Sequence, residues 1–184
     1  MELIGVGTEG GVLPRTERLL LREMDEGDLP ALKRTLQDGL AMCAYEGAFS
    51  DAEVADWLAR RRQSYADHGH GLWAVILRAT GEMIGQCGIS HQSVDGVGVL
   101  EVGYLFERAH WHQGYAVEAA RACVRWAFAE LRPDAVHALI RETNLASMNV
   151  AIRLGMTVRG RFTKHYRGVD MPHFDFALAA GPRT

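Results

Sequence analysis

The sequence predicts an α/β layered fold with a mixed sheet. Its 184 residues suit one domain and suffice to bury a core. A 48% hydrophobic and 23% charged composition, without repeats or low-complexity tracts, is that of a globular chain. Segments of helical periodicity alternate with short apolar runs through the second half, as in helices layered on a sheet.

Residues 1–14 are glycine-rich and read as a flexible leader before a single domain of residues 15–184. Leu19, Leu20 and Leu21 suggest a short strand. The acidic stretch Asp25 to Asp28 opens a helix carrying Leu29, Leu32 and Leu36. Ser50 and Glu53 have capping-box spacing, and Val54, Trp57, Leu58 and Tyr65 follow on a second helix ending near Gly69. Leu72 to Leu77 and Met83 to Ile89 are strands joined through Thr80-Gly81, and Val97 to Phe106 is a third strand of this block. Gly114 to Leu131 is a helix with Val117, Ala120, Val124, Phe128 and Leu131 on one face, stopped before Pro133. Ala135 to Ile140 is a strand, and Asn144 to Leu154 a helix with Gly155 in the C′ position. Met156 to Phe162 and His173 to Leu178 close the sheet. The predicted order is β-α-α-β-β-β-α-β-α-β-β.

Composition removes several function classes. The net charge of −3 lacks the basic excess of a nucleic-acid module, and Arg60, Arg61 and Arg62 read as a solvated helix face. No apolar run reaches membrane-spanning length, and residues 1–11 lack the basic and apolar regions of a signal peptide. Cys43, Cys87 and Cys123 are scattered in apolar contexts without a disulfide framework, which favours a reducing, cytoplasmic setting. His68, His70, His110, His112, His165 and His173 lack metal-ligand spacing and read as surface or loop residues, so no metal is expected. The tryptophans are expected in the core, with Trp57 also walling a pocket. Gly5-Val6-Gly7-Thr8-Glu9-Gly10 matches a dinucleotide fingerprint, but no full strand precedes it and Pro14 follows closely.

The informative segment is Trp111-His112-Gln113-Gly114-Tyr115-Ala116, between a strand and the longest apolar-faced helix. A small-residue turn lets main chain approach a ligand, and a helix start offers unpaired N–H groups with partial positive charge. Such a turn either merely links strand to helix or binds a pyrophosphate.

At these residues the chain resembles the GNAT superfamily of N-acetyltransferases, and within it the subgroup of ribosomal-protein N-terminal (alanine/serine) acetyltransferases. Trp111-His112-Gln113-Gly114-Tyr115-Ala116-Val117-Glu118-Ala119 is similar to the subgroup's W-G-K-G-Y-A-T-E-A. Four more pieces follow the family order: Thr16-Glu17-Arg18-Leu19-Leu20-Leu21-Arg22, Gly81-Glu82-Met83-Ile84-Gly85, Glu101-Val102-Gly103-Tyr104, and Asn144-Leu145-Ala146-Ser147 with Arg153-Leu154-Gly155-Met156. The chain departs at His112 and Gln113, where the subgroup often has Gly and Lys. Loss of the lysine removes a phosphate contact; if position 112 needs positive φ, His tolerates it better than a β-branched residue.

The resemblance implies a mixed, mostly antiparallel sheet of six to seven strands, about four helices, and a splayed fourth and fifth strand. It implies acetyl-CoA as co-substrate, pantetheine along Tyr104, Leu105 and Phe106, and pyrophosphate at Trp111, His112, Gln113, Gly114, Tyr115 and Ala116. Glu101 is the expected proton acceptor, or else a strand carboxylate in an ion pair. Ser147, or Tyr166, would protonate the departing thiolate, and Asn144 would hold pantetheine; Asn144 and Ser147 equally suit a helix cap. A main-chain N–H near Tyr104 would meet the oxyanion. The acceptor is an amine, on a peptide N-terminus or a small molecule; the chain's acidic balance tilts toward small cationic amines. The competing reading is a non-catalytic acyl-CoA-binding module. Monomer and homodimer both remain open, and neither nucleic acid nor membrane is expected as partner.

Overall fold

The computed structural model describes residues 12–181. The Gly5–Gly10 motif and most of the leader lie outside them. Strands β1 (Leu19–Arg22), β2 (Leu72–Leu77), β3 (Glu82–Val94), β4 (Val97–Phe106), β5 (Ala135–Arg141), β6 (Thr157–Tyr166) and β7 (Val169–Ala179) form one sheet, ordered β1-β2-β3-β4-β5-β7-β6. Neighbours are antiparallel except β4 and β5, which run parallel. The helices are α1 (Leu29–Leu36), α2 (Asp51–His68), α3 (Tyr115–Trp126) and α4 (Leu145–Arg153). The sheet is mixed and mostly antiparallel, as the resemblance implied.

Two apolar layers cover the sheet's faces. Leu32 and Leu36 of α1 join Val54, Trp57 and Leu58 of α2 on one side. Ala119, Ala120, Cys123 and Val124 of α3 join Ala151 of α4 on the other. The continuous apolar run of β2 follows from this double cover. Leu72, Ala74 and Ile76 enter the first layer, while Trp73 and Val75 enter the second. The start of α2 is the expected capping box: Ser50 Oγ accepts the Glu53 N–H at 3.3 Å, and Glu53 returns an acceptor to the Ser50 N–H at 2.8 Å.

The structure corrects the sequence reading in five places. The buried stripe of α3 is rotated onto the small residues Ala119, Ala120 and Cys123, and Val117 turns toward a cleft; small side chains let the helix sit close on the sheet. A π-helical turn, Ala127–Leu131, ends this helix. Strands β6 and β7 extend well into residues 163–172, between the two runs that the sequence predicts as strands. Arg167-Gly168, both at positive φ (50° and 75°), makes a two-residue hairpin turn whose flanks look too polar for strands. Cys43 is exposed and Trp111 is 37% exposed, whereas Cys87 and Cys123 are buried with sulfurs 3.6 Å apart. His70 and His173 are buried instead of lying at the surface. Their Nδ1 atoms lie 2.9 Å from the Ile89 carbonyl and 2.8 Å from the Met171 carbonyl, which satisfies them there.

Candidate active site

Strands β4 and β5 share a single registered residue pair, Glu101 with His137. Beyond it the strands part, and a continuous cleft of about 750 Å³ opens between them. Glu101 sits at the fork. Its Oε1 accepts the Leu139 N–H at 3.2 Å, so a side chain replaces the carbonyl that a continued ladder would supply. Burial pushes the Glu101 carboxyl above its usual range, against the opposing pull of Lys164, the Leu139 amide and Arg61. His137 is held from β7, its Nδ1 2.7 Å from Asp175 Oδ1.

One end of the cleft is the turn before α3. His112 and Gly114 both have positive φ, 61° and 82°. A left-handed histidine costs roughly 1–2 kcal/mol, a strain usually met where backbone is aimed at a ligand. Gly114 is the N-cap and carries no capping side chain, so the first-turn amides of α3 lack an acceptor there. The Trp111 indole donates to the Phe106 carbonyl at 2.8 Å, and the Gln113 amide to the Ala109 carbonyl at 3.2 Å. Trp111, His112, Gly114, Tyr115 and Ala116 line the cleft. Gln113 does not; its side chain braces the loop.

Arg18, just before β1, clamps this turn. Its guanidinium lies 4.4 Å from the Tyr115 ring centroid, donates to the Gln113 carbonyl at 3.1 Å and pairs with Glu118 at 2.5 Å. Thr16 Oγ1 donates to the same Glu118 carboxylate. Burial raises the Glu118 carboxyl, but the Thr16 and Arg18 hydrogen bonds outweigh it and leave it below its usual range. Two pieces a hundred residues apart in sequence, Thr16-Glu17-Arg18 and the Glu118 of the helix start, are thus one structural unit.

In mid-cleft, the Tyr104 hydroxyl donates to the Ser147 carbonyl at 2.9 Å. Asn144 Oδ1 accepts the Ser147 N–H at 3.1 Å and so caps α4. Ser147 lines the cleft beside Tyr104. Tyr104, Leu105 and Phe106 line it as well, on the β4 side left without a strand partner.

The opposite end brings the expected Trp57 and Tyr166 together with Tyr45, Arg61 and Lys164, which motif reading missed. Tyr45 packs edge-on to Trp57 and Tyr166, ring centroids 5.9 and 6.4 Å apart. Tyr166 stands at the end of β6, beyond the predicted strand Met156 to Phe162. Arg61 lies over Trp57 at 4.8 Å, and Lys164 projects from β6 into the same cleft. The signal for Arg61 was present: it is four residues after Trp57 and shares its helix face, unlike exposed Arg60 and Arg62. Elsewhere, Glu82, Glu107 and His110 bring ligand atoms within 4.8 Å of one another. Arg34 already pairs both carboxylates, at 3.3 and 2.9 Å, which opposes a cation there.

A parted parallel strand pair and an amide-lined helix start around one cleft together define an acyl-CoA-dependent transferase fold. Residues 18–157 match the acetyltransferase (GNAT) domain family, and the chain belongs to it. Among its relatives, the uncharacterized protein YkkB of Bacillus subtilis (strain 168) is 38% identical over 77% of this chain and 83% of its own length. An acetyltransferase from Agrobacterium tumefaciens str. C58 superimposes with a TM-score of 0.74 at 28% identity, covering 90% of this chain and 93% of that one. The fold is also shared, at TM-score 0.73 and 18% identity over 91% of this chain and 97% of the other, by RimL, a ribosomal L7/L12 alpha-N-protein acetyltransferase solved with coenzyme A. The chain is a GNAT-type N-acetyltransferase.

Proposed function

We propose that this protein transfers acetyl from acetyl-CoA directly to a primary amine, and that residues 15–184 form the one domain that does so. The observation that carries the reading is the pair of positive-φ residues, His112 and Gly114, which open α3 without a side-chain cap. Free amides at a helix start suit a diphosphate. RimL, which shares the fold, holds coenzyme A. The β4 edge from Tyr104 to Phe106 suits the amides of pantetheine.

Acetyl-CoA supplies the activated thioester, and the side chains handle the protons. An α-amino group has a pKa of roughly 8 and a lysine amine about 10.4, so attack at neutral pH needs a proton acceptor. Glu101, with its raised carboxyl facing the cleft, takes that proton directly or through water. A β4 amide near Tyr104 stabilises the oxyanion. The Ser147 hydroxyl, which lies on the cleft wall, donates to the departing thiolate, with Tyr166 the second donor on the acceptor side. Asn144 acts through Ser147, by fixing the start of α4. The peptide specificity of RimL keeps an N-terminal amine among the acceptors, beside small amines. Buried Cys87 and Cys123, free thiols without a disulfide, favour a reducing cytoplasm, and among the described residues no helix is long and apolar enough to cross a membrane.

The test is thiol release from acetyl-CoA across a panel of amines, with acetyl-CoA binding measured separately. Gly114→Trp should abolish binding with the fold retained, because it blocks the turn. Unchanged affinity in that variant refutes the placement. Binding without thiol release on any amine would favour an acyl-CoA-binding module instead.

A further inference from the structure

The acceptor end of the cleft holds more positive charge than acetyl transfer requires. Arg61 is half-buried and its Nε is fully buried with no hydrogen-bond partner among the described residues. Its guanidinium faces the Trp57 ring and makes no ion pair within 4 Å among those residues. Lys164 lines the same cleft, also half-buried and also without an ion pair there. Two further arginines near this end are paired, Arg141 with Glu46 and Arg167 with Glu53. A desolvated guanidinium without an anion is unfavourable, so a ligand that completes it gains by doing so. The carboxylate whose field reaches both cations is Glu101, whose task in the reading above is to take a proton.

We infer that the acceptor is a small primary amine carrying a carboxylate a few atoms from its nitrogen, seated with the nitrogen at Glu101 and the carboxylate on Arg61 and Lys164. This rests on the acetyltransferase reading and names its substrate class. The local charge is opposite to the acidic balance of the whole chain. It repels polyamines and attracts amino acids. The ammonium gives one proton to Glu101, the nitrogen bonds to the thioester carbon and the carbon–sulfur bond breaks; Ser147 gives its proton to the thiolate and is reprotonated by the second proton that the nitrogen loses. The products are an N-acetylated acid and coenzyme A.

The experiment compares matched acceptors: an amino acid, its carboxamide, its decarboxylated amine, and spermidine. The amino acid is expected to exceed the carboxamide in kcat/KM by at least tenfold, with spermidine lowest. Arg61→Met and Lys164→Met should each lower kcat/KM for the acid at least tenfold more than for the carboxamide. Arg61→Lys should restore part of the preference. Acetyl-CoA affinity and Tm report folding; if Arg61→Met does not fold, Lys164→Met on the edge strand decides. Equal or better turnover of carboxamide or spermidine overturns the inference, as does an acid preference that survives both variants. If acetyl-CoA binds and no amine reacts, the transferase reading fails by itself. Binding of the same acceptors to the enzyme–CoA complex then decides the charge inference: tenfold tighter acid supports it, and equal affinity overturns it.

Discussion

Glu101 joins structure to chemistry, since one carboxylate both caps Leu139 and faces the cleft. Its raised carboxyl gives a definite sign. The native state holds the proton more tightly than the unfolded chain, so this group's stabilising contribution is present at low pH and is lost as pH rises through its raised value. Activity runs the other way, because only the carboxylate accepts a proton. Glu101→Gln should therefore lower kcat about 10²-fold or more and flatten the acid limb of the kcat/KM profile. It should leave Tm at pH 7.5 equal or higher, since Gln can still accept from Leu139. An unaltered acid limb assigns the proton elsewhere. Ser147→Ala separates two roles just as cleanly. The cap at α4 uses the Ser147 N–H and the Tyr104 contact uses its carbonyl, so both survive the change. The expected outcome is a stability change within about 0.5 kcal/mol and a larger fall in kcat than in acetyl-CoA affinity. A lowered Tm with kcat intact would show the hydroxyl to be structural.

Among the elements, the turn opening α3 depends on a clamp from outside the helix. Arg18 and Thr16 reach Glu118 from the strand side, and Arg18 also holds the Gln113 carbonyl. Arg18 is substantially exposed, so the pair's share of stability is screened to about 1 kcal/mol or less. Its larger effect is on geometry. Arg18→Ala should raise KM for acetyl-CoA severalfold while Tm falls by only a few degrees; unchanged KM would show that the turn holds its shape alone. Most elements were legible in sequence, because apolar periodicity and caps such as Ser50 and Gly155 act locally. The β6–β7 hairpin was not, because Lys164, His165 and Asp170 hide the alternation on an edge with one open side. In the site, the turn at Gly114 was legible through its small residue before a helix. The clamp and the acceptor wall were not: Arg18 and Glu118 lie a hundred residues apart, and Tyr45 comes from a segment without periodicity.

At the scale of the whole molecule, the sheet is continuous except where β4 and β5 part. A ligand seated there joins the two halves and binds only the native state. Coenzyme A at 100 times its Kd should add about 2.7 kcal/mol. For a domain of this size that raises Tm by about 5–10 °C. Hydrogen exchange should slow along Gly103 to Phe106 and the opening of α3; protection appearing elsewhere would relocate the site. Acid stability has its own markers. Burial raises Asp28, but the Arg22 hydrogen bonds (2.7 Å each) and the Asp25 amide leave it lowered, as Glu118 also is. Depressed carboxyls contribute above their ordinary range near pH 4 and lose that contribution as pH falls through their lowered values. Asp28→Asn should cost about 1–2 kcal/mol at pH 7 and progressively less toward pH 2.

Strand β6 ends the sheet on one side, with residues 157–161 all exposed to solvent. An open rim of this kind is a template on which further chains can stack by main-chain pairing. Arg159 and Arg161 stand on that exposed stretch, and charged side chains on an edge strand oppose pairing with a second identical rim. The strand that carries Lys164 to the acceptor end of the cleft thereby also guards the protein against fibrous self-assembly.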